Sequence, residues 1–392
     1  MSRTSTRRAR RLAVAGLSVT VAMSLAACSS GGSTSGSTSS ASGSSSTTSA
    51  AAAKVAALEK APGYDIPTGS ISNVASLKGK TVYYIPINQQ APQFAVTQAA
   101  LSAALGKAGV KLQVCNGQST PTGIAACLTQ ATKAQAGGII TDAIPYVLAA
   151  NAFAAVESAG IPVLNTDQVA DTAHPAAAKY GVIEAAGSRQ MEAVADWIAA
   201  DSGGKATIVI DESTDGPSPV AFVDAGVKEL KTVCPGCTVS INKISSANFS
   251  LIPSSTSSAL LKTPNVGYVV SEFDQYLQPV QGGVQQAGKA SSVKGVSGAA
   301  QLSGLQQLSN KNFLYADVGQ GSAYQGWVDA DAVLRMMTGT SGASLPTYTI
   351  PIRLFTRDNV GDVTLTSAAQ ASGEWFGSAD YTSKFLTLWG LG

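Results

Sequence analysis

Histidine is almost absent from this chain: His174 is the single one among 392 residues. Because histidine carries much of the metal-binding and general-base chemistry of proteins, its scarcity argues strongly against a His-based metal site or catalytic triad. The chain also has no Gly-x-Ser-x-Gly nucleophile motif, and Gly319-Gln320-Gly321 lacks the third glycine of a dinucleotide fingerprint. The sequence therefore predicts a protein that is not an enzyme and uses no metal or cofactor.

Charged residues are also few, at 13% of the chain, and basic residues are concentrated at its start. Without residues 1–28 the chain loses five arginines, which leaves 21 basic against 24 acidic residues and a net charge of −3. A weakly acidic body has no electrostatic footprint for nucleic acid or anionic lipid. We therefore predict no nucleic-acid partner and no membrane contact except through an anchor.

The apolar run Leu12–Ala22 is too short for a membrane span, which needs about 20 residues. It follows four arginines between residues 7 and 11 and precedes Leu25-Ala26-Ala27-Cys28. This order is that of a secretory signal. With cysteine at the cleavage point it resembles the lipobox of bacterial lipoproteins, which implies that Cys28 is lipidated. An ordinary signal peptide with a chance cysteine is the alternative.

Residues 29 to about 53 are almost entirely Ser, Gly, Thr and Ala. Such a segment cannot bury enough apolar surface to offset the entropy of ordering it. The sequence thus predicts a signal peptide over 1–28, a disordered tether over 29–60, and then a globular body. We expect a monomer that is lipid-anchored to the outer face of the cell membrane.

Four cysteines remain after Cys28, and an even number in an exported protein predicts two disulfides. The sequence predicts two local pairs, Cys115–Cys127 and Cys234–Cys237. Cys115 ends a strand-like run, and Cys127 lies on the apolar face of the next predicted helix. The Cys-Pro-Gly-Cys element has a redox-pair alternative, but it follows a predicted helix instead of starting one, which favours a structural link.

Strand-like and helix-like segments alternate along the rest of the chain. Ten short apolar runs, from Thr81–Ile87 to Phe313–Val318, are separated by Ala-rich helical spans such as Gln93–Lys107 and Tyr324–Met337. Apolar strands without alternation are buried on both faces, as in parallel sheets covered by helices. The body of roughly 335 residues exceeds what one core usually holds. We predict an α/β protein with two doubly wound parallel-sheet lobes.

Polar and aromatic side chains recur directly after these predicted strands. In open α/β sheets, ligands bind at the carboxyl ends of the strands, and amides, carboxylates and rings suit a small polar or amphipathic molecule. Helix capping favours the same residue types and is the alternative for any one of them. The candidate ligand-binding residues are Asn88, Gln90, Gln93, Phe94, Asp167, Gln168, Asp215, Phe273, Asp274 and Gln320.

Three runs carry a family resemblance: Pro92-Gln93-Phe94, Ala159–Asp167 (Ala-Gly-Ile-Pro-Val-Leu-Asn-Thr-Asp) and Tyr268–Asp274 (Tyr-Val-Val-Ser-Glu-Phe-Asp). The stretch Leu354–Val360 looks like the closing strand of the same family. From about Gly79 to Leu391 the chain resembles the ribose-binding-like, sugar-type solute-binding proteins of ABC importers, which have the type I periplasmic-binding-protein fold.

The resemblance implies two lobes joined by a three-segment hinge, which close on a ligand bound between them. It implies an N-terminal lobe of 78–186 plus 321–350 and a C-terminal lobe of 187–320 plus 351–392. It further implies that Phe94 packs on a sugar face, that Asp167 accepts hydrogen bonds from sugar hydroxyls and that Gln320 is a hinge-side amide.

The positions that depart from the family pattern are Ala91, Gln93, Gln168, Ala221, Phe273 and Ser297. Two of the family's ligand-binding arginines fall at Gln168 and near Ala221. Arginine forks grip polyols through charge-assisted bonds, so their loss indicates a changed ligand. We expect a neutral, less hydroxylated molecule, or a different sugar held by amides.

The implied function is capture of a small molecule and its delivery to an ABC permease in the membrane. Two alternatives stay open on the sequence. The same clamp could present its ligand to a membrane signalling receptor. More remotely, Asp167 and Asp215 could face each other across a cleft as the carboxylates of an exported glycosidase.

Overall fold

The computed structural model describes residues 41–392, with side chains from Thr47 onward. Within this part, no helix has both the length and the apolar character needed to cross a membrane. The predicted signal peptide, Cys28 and the first part of the predicted tether lie outside the described residues.

Residues 41–392 form eleven strands in two sheets, with strand orders β2-β1-β3-β4-β5 and β11-β10-β9-β8-β6-β7. All neighbouring strands are parallel except β10 and β11. The strands are β1 (Thr81–Pro86), β2 (Lys111–Val114), β3 (Gly138–Asp142), β4 (Val163–Gln168), β5 (Tyr180–Glu184), β6 (Thr207–Ser213), β7 (Thr238–Ile244), β8 (Tyr268–Ser271), β9 (Lys294–Gly298), β10 (Leu314–Gln320) and β11 (Ile352–Thr356).

Twelve α-helices accompany the sheets over the same residues. They are α1 (Ala41–Leu58), α2 (Pro92–Lys107), α3 (Pro121–Lys133), α4 (Ala150–Ser158), α5 (Gly187–Asp201), α6 (Pro217–Val233), α7 (Ile252–Lys262), α8 (Leu277–Gln286), α9 (Leu302–Ser309), α10 (Ser322–Met337), α11 (Ser367–Ser372) and α12 (Tyr381–Leu388).

Both sheets are covered on two faces, which explains why their central strands are apolar throughout. In β1, Val82 and Tyr84 lie in the core that includes α2 and α10, whereas Tyr83 and Ile85 lie in the core that includes α3 and α4. In the second sheet, α5 and α6 cover one face and α7 and α8 the other. The two-lobed α/β fold class predicted from the sequence is confirmed.

The hinge consists of three neighbouring chain segments. The chain passes from β5 to α5, from β10 to α10, and from the end of the α10 region back to β11. The Gly321 N–H donates to the Pro351 carbonyl at 2.9 Å, which joins the second and third segments. Arg189, in the first turn of α5, donates from its guanidinium to the Ile350 carbonyl at 2.5 Å. These bonds hold the segments side by side where the lobes meet.

A helix occupies residues that the sequence predicts to be unstructured. In α1, Ala51 is fully buried, and the helix packs against α5 and α6. Lys54 Nζ lies 3.3 Å from a carboxylate oxygen of Asp196 and 2.5 Å from one of Glu229. The tether prediction is therefore wrong for residues 41–58. The second half of α1 is rich in alanine, the best helix former, and contacts distant in sequence stabilise the helix.

Residues 59–80 lead from α1, beside the C-terminal lobe, to β1 in the N-terminal lobe. On the way the Tyr64 ring packs against Tyr324 at 4.9 Å between centroids. At the other end of the chain, Trp389 stacks on Trp327 of α10 at 5.6 Å. The structure thus places α12 beside the N-terminal lobe, although the resemblance assigns all of 351–392 to the C-terminal lobe. Packing against α10 removes the aromatic surface of this C-terminal segment from water, which favours its position beside the N-terminal lobe.

Both predicted disulfides are present. Cys115 and Cys127 join the end of β2 to α3 with their Cα atoms 5.7 Å apart. Cys234 and Cys237 lie 5.3 Å apart at the turn between α6 and β7. Cys234 follows the last turn of α6, so it lacks the helix N-terminal position that activates the first cysteine of a redox pair.

Candidate functional site

Backbone strain is concentrated near the carboxyl ends of the strands. Ten non-glycine residues of the described chain have positive φ, and six of these follow or end β2, β3, β4 or β9. Such conformations cost energy and persist mainly where the surrounding structure imposes them, often at binding sites. The six are Gln118, Ser119, Ala143, Asp167, Ala299 and Ala300. The strain therefore marks the same edge of the sheets that the sequence predicts to bind ligand.

Asp167 and Gln320 come together at the hinge. Gln320 Nε2 lies 3.4 Å from each carboxylate oxygen of Asp167 and donates to Gln325 Oε1 at 2.8 Å. Gln325 in turn donates to Thr166 Oγ1 at 3.2 Å. Burial raises the pKa of Asp167 to about 6, although the amides of Gln320 and Gln325 act to lower it. This amide chain fixes a half-buried carboxylate between β4 and β10, one strand from each lobe.

Behind Asp167 lie two buried carboxyl groups that the sequence analysis missed. Tyr84 donates to Asp142 Oδ2 at 2.5 Å, whereas Asp142 Oδ1 and both oxygens of Asp329 have no hydrogen-bond partner. Burial, followed by the charges of Asp167 and Asp329, raises the pKa of Asp142 well above its usual range. Within residues 41–392, no group of acidic, histidine or cysteine side chains has an arrangement suited to a metal ion. Asp329 stands two residues before Asp331 in α10, and the sequence alone does not distinguish the unpartnered acid from the one that pairs with Arg335.

Gln168 contributes to contact between the lobes. Its Oε1 accepts a hydrogen bond from Ser218 Oγ at 2.9 Å, and the same hydroxyl accepts from the Val169 N–H at 3.1 Å. Gln168 ends β4 of the N-terminal lobe, and Ser218 lies in the first turn of α6 in the C-terminal lobe. The described conformation is therefore one in which the lobes touch beside the hinge.

Asp215 is held within the C-terminal lobe. Its carboxylate accepts hydrogen bonds from Ser245 Oγ at 2.7 Å, from the Ser246 N–H at 3.0 Å and from Tyr276 OH at 2.7 Å. Burial would raise the pKa of Asp215, but these hydrogen bonds outweigh it and lower the pKa. The side chain thus joins the segment after β7 to the segment after β8.

Asp274 also faces the interior of its own lobe. Its Oδ2 accepts from the Gln301 N–H at 2.7 Å, and Asp317 Oδ1 accepts from the Ala300 N–H at 3.1 Å. Burial raises the pKa of Asp274 to about 6, and burial beside Asp274 raises the pKa of Asp317 well above its usual range. Burial and the neighbouring carboxyl of Asp274 thus both disfavour the ionised form of Asp317. The carboxyl pair positions the strained residues after β9.

Phe273, which precedes Asp274, is half-buried and packs against the cores on both faces of the second sheet. Its ring lies 6.4 Å from that of Tyr276. Phe273 therefore lies at the border between the hydrophobic core and the edge of the sheet.

The residues after β1 differ in their surroundings. Asn88 shapes the turn, since its Oδ1 accepts from the Gln90 N–H at 2.9 Å and its Nδ2 donates to Ser119 Oγ at 3.1 Å. Gln90 is exposed, Gln93 is half-buried, and Phe94 is buried with 5% of its surface exposed. Phe94 is the aromatic residue among these four, and it lies at the N-terminus of α2, near the edge of the first sheet.

A groove of about 460 Å³ lies between the lobes next to this turn. Its walls come from the start of α2 in the N-terminal lobe and from α9 and α11. Gln370 of α11 donates to Gln301 Oε1 at 2.6 Å and so fastens α11 to the segment after β9. The volume is within the range of small-molecule sites, about 300–1,000 Å³.

No protein-family model matches the chain, and no curated protein sequence matches it. Solved structures do match its fold. A 5-methylthioribose transporter solute-binding protein from Thermotoga lettingae is 18% identical with a TM-score of 0.64, over 82% of this chain and 99% of that one. An ABC transporter solute-binding protein from Agrobacterium vitis, bound to α-D-tagatopyranose, is 18% identical with a TM-score of 0.64, over 72% and 96%.

A glucose-galactose binding protein from Geobacillus stearothermophilus is 16% identical with a TM-score of 0.63, over 72% of this chain and 98% of that one. At such identities the similarity shows the fold, which is the type I periplasmic-binding-protein fold, and leaves the ligand of this chain to its own residues.

Proposed function

We propose that this protein is an extracytoplasmic solute-binding lipoprotein that captures a sugar or sugar-like molecule between its lobes and delivers it to an ABC importer. The observation that carries the proposal is the Asp167–Gln320 pair at the hinge, where strands of both lobes end beside strained backbone. A carboxylate and amides in that position suit hydroxyl groups. The three structural neighbours described above bind or transport sugars, which supports the same class of solute.

The proposal includes the cellular setting. Lipid on Cys28 would hold the protein at the outer face of the membrane, and stable anchoring needs more than one acyl chain. The protein would act as a monomer, with the permease as its macromolecular partner. A moderate affinity suffices for capture and release, since a micromolar dissociation constant corresponds to about −8 kcal/mol.

The test is the unfolding midpoint of the purified protein against a panel of pentoses, hexoses and polyols. A solute that binds only the folded state raises the midpoint as its concentration exceeds its dissociation constant. We expect one group of related solutes to raise it, and Asp167→Asn and Gln320→Ala to reduce the shift. If no sugar or polyol, neutral or amine-bearing, raised the midpoint, the proposed function would be wrong.

A further inference from the structure

Acidic side chains strongly outnumber basic ones at the ligand-binding edge. We define this edge as the last two residues of each parallel strand together with the five residues that follow them. Counted over the ten parallel strands, these segments contain eight carboxylates and two basic side chains, Arg189 and Lys243. A cleft with one sign of charge and low-dielectric walls attracts solutes of the opposite sign. The composition of this edge therefore disfavours anionic solutes.

Both basic side chains are engaged away from Asp167. Arg189 donates to the Ile350 carbonyl and is thereby held at the hinge backbone. Lys243 is exposed on β7, which is the outermost strand of its sheet, and lies opposite Glu212 of β6. Burial raises the pKa of Glu212, and the charge of Lys243 acts to lower it. The positions at which the resemblance would place ligand-binding arginines are Gln168 and Ala221. Neither position therefore supplies a cation to the carboxylates of this edge.

Most of these carboxylates already have close donors. Asp215 accepts from three groups at 3.0 Å or less, Asp171 pairs with His174 at 2.8 Å, and Glu272 accepts from the Ser213 N–H at 2.6 Å. Each of these carboxylates therefore has at least one close donor, although Glu272 Oε1 has no partner.

Asp167 differs from them. It is half-buried, its donors are the 3.4 Å contacts from Gln320, and φ of +61° holds its side chain at the edge. A charge-assisted hydrogen bond is typically 2.7–2.9 Å long, so Asp167 has room for a stronger donor. Directly behind it, Asp142 is 1% exposed and has an oxygen without a partner. Asp142 pairs in the sheet with Thr166, the residue before Asp167, and the charge of Asp167 adds to burial in raising the pKa of Asp142.

From this arrangement we infer that the solute carries a positive charge, and that it is an amine-bearing polyol whose ammonium group binds the carboxylate of Asp167. An ammonium group has three donors and no acceptor, so Asp167 and the amide oxygen of Gln320 can both receive its hydrogen bonds. Gln320 donates through Nε2 to Asp167 and Gln325, which leaves its Oε1 to accept. The inference rests on the proposed function and specifies the class of solute.

The test compares sugars that differ in one group. Glucose, galactose and mannose are each titrated into the protein at pH 7 beside the corresponding 2-amino-2-deoxy sugar and its N-acetyl derivative. The N-acetyl sugar keeps the nitrogen but has no charge. We expect at least one amino sugar to bind about 10- to 100-fold more tightly than both neutral counterparts, as is usual for a hydrogen bond to a charged group.

Two substitutions test the assigned residue. Asp167→Asn should abolish the preference for the amine, and it should fold, since asparagine tolerates positive φ. Asp171→Asn is the matched control: it removes a carboxylate from the same edge, but from an exposed pair with His174, and should leave the preference intact.

The outcomes separate this inference from the proposed function. Neutral sugars that bind as tightly as the amino sugars would overturn the inference alone. Retention of the preference in Asp167→Asn would also overturn it. Binding by neither kind of sugar would overturn the inference and the proposed function together.

Discussion

Asp331 of α10 should be among the most sensitive positions for the stability of the protein. Its carboxylate accepts hydrogen bonds at 2.7 Å from Arg335 Nε, Tyr348 OH and Trp389 Nε1. Arg335 also donates to the Gly69 carbonyl at 2.7 Å. One carboxylate thus connects α10 with the segment before β1, the segment before β11 and the residue after α12.

Asp331→Ala leaves the Arg335 guanidinium buried without its counter-charge, since the two side chains are 0% and 9% exposed. Removal of one partner of a buried ion pair costs about 3–5 kcal/mol. We therefore expect the free energy of unfolding, measured by urea denaturation, to fall by about that amount. The dependence of this free energy on urea concentration should not change.

The chain offers a matched control in Asp380 and Lys384. They form an ion pair at 3.0 Å with the same spacing of four residues, but their side chains are 56% and 51% exposed. Asp380→Ala should change the free energy of unfolding by less than about 1 kcal/mol. Equal effects of the two substitutions would contradict a role for burial and for the added hydrogen bonds from Tyr348 and Trp389, because these distinguish the Asp331 pair from the exposed one.

Three further predictions concern the disulfide, pH and the anchor. Replacement of both Cys115 and Cys127 by serine should lower the free energy of unfolding by about 3 kcal/mol, as the chain-entropy model gives for a loop of this length; an unchanged urea midpoint would contradict this. Burial raises the pKa of Asp211 and Asp274 to about 6, so the folded state favours their protonated forms. The resulting stabilisation is complete below the unfolded pKa near 4 and is lost as the pH rises through 6, so the thermal midpoint should be higher at pH 5 than at pH 7.5; the opposite order would count against it. Cys28→Ser should move the protein from the membrane fraction to the medium, which fractionation and immunoblotting would detect; retention in the membrane would exclude lipid on Cys28 as the anchor.

The fold was largely predictable because the strands are short, apolar and separated by helices of ordinary length. Short apolar runs between helices are typical of buried parallel strands. The ten strands predicted from such runs correspond to β1–β10. Where the prediction failed, tertiary contacts outweighed composition. Serine and glycine before Ala50 concealed the helix α1, whose burial of Ala51 and ion pairs through Lys54 depend on α5 and α6.

The candidate site was predictable in position but less so in its contacts. Asp167 and Gln320 are 153 positions apart, yet both end strands that meet at the hinge, so the rule for ligand sites in parallel sheets finds them. The same rule cannot tell that Asp215 is held by the segment after β7. Nor can it find Asp329, because helix orientation decides which of the residues of α10 lie under the sheet.

If a solute is bound between two moving lobes, the distance between the lobes should change when it binds, and this distance can be measured. Val147 and Phe249 are exposed, at 67% and 46%, and belong to the N-terminal and C-terminal lobes. Spin labels attached after Val147→Cys and Phe249→Cys substitution would report their separation by pulsed electron paramagnetic resonance. If the lobes close on the solute, a solute that raises the unfolding midpoint should narrow the distribution of label-to-label distances and shorten its mean. A distribution that is the same with and without that solute would contradict capture by lobe closure.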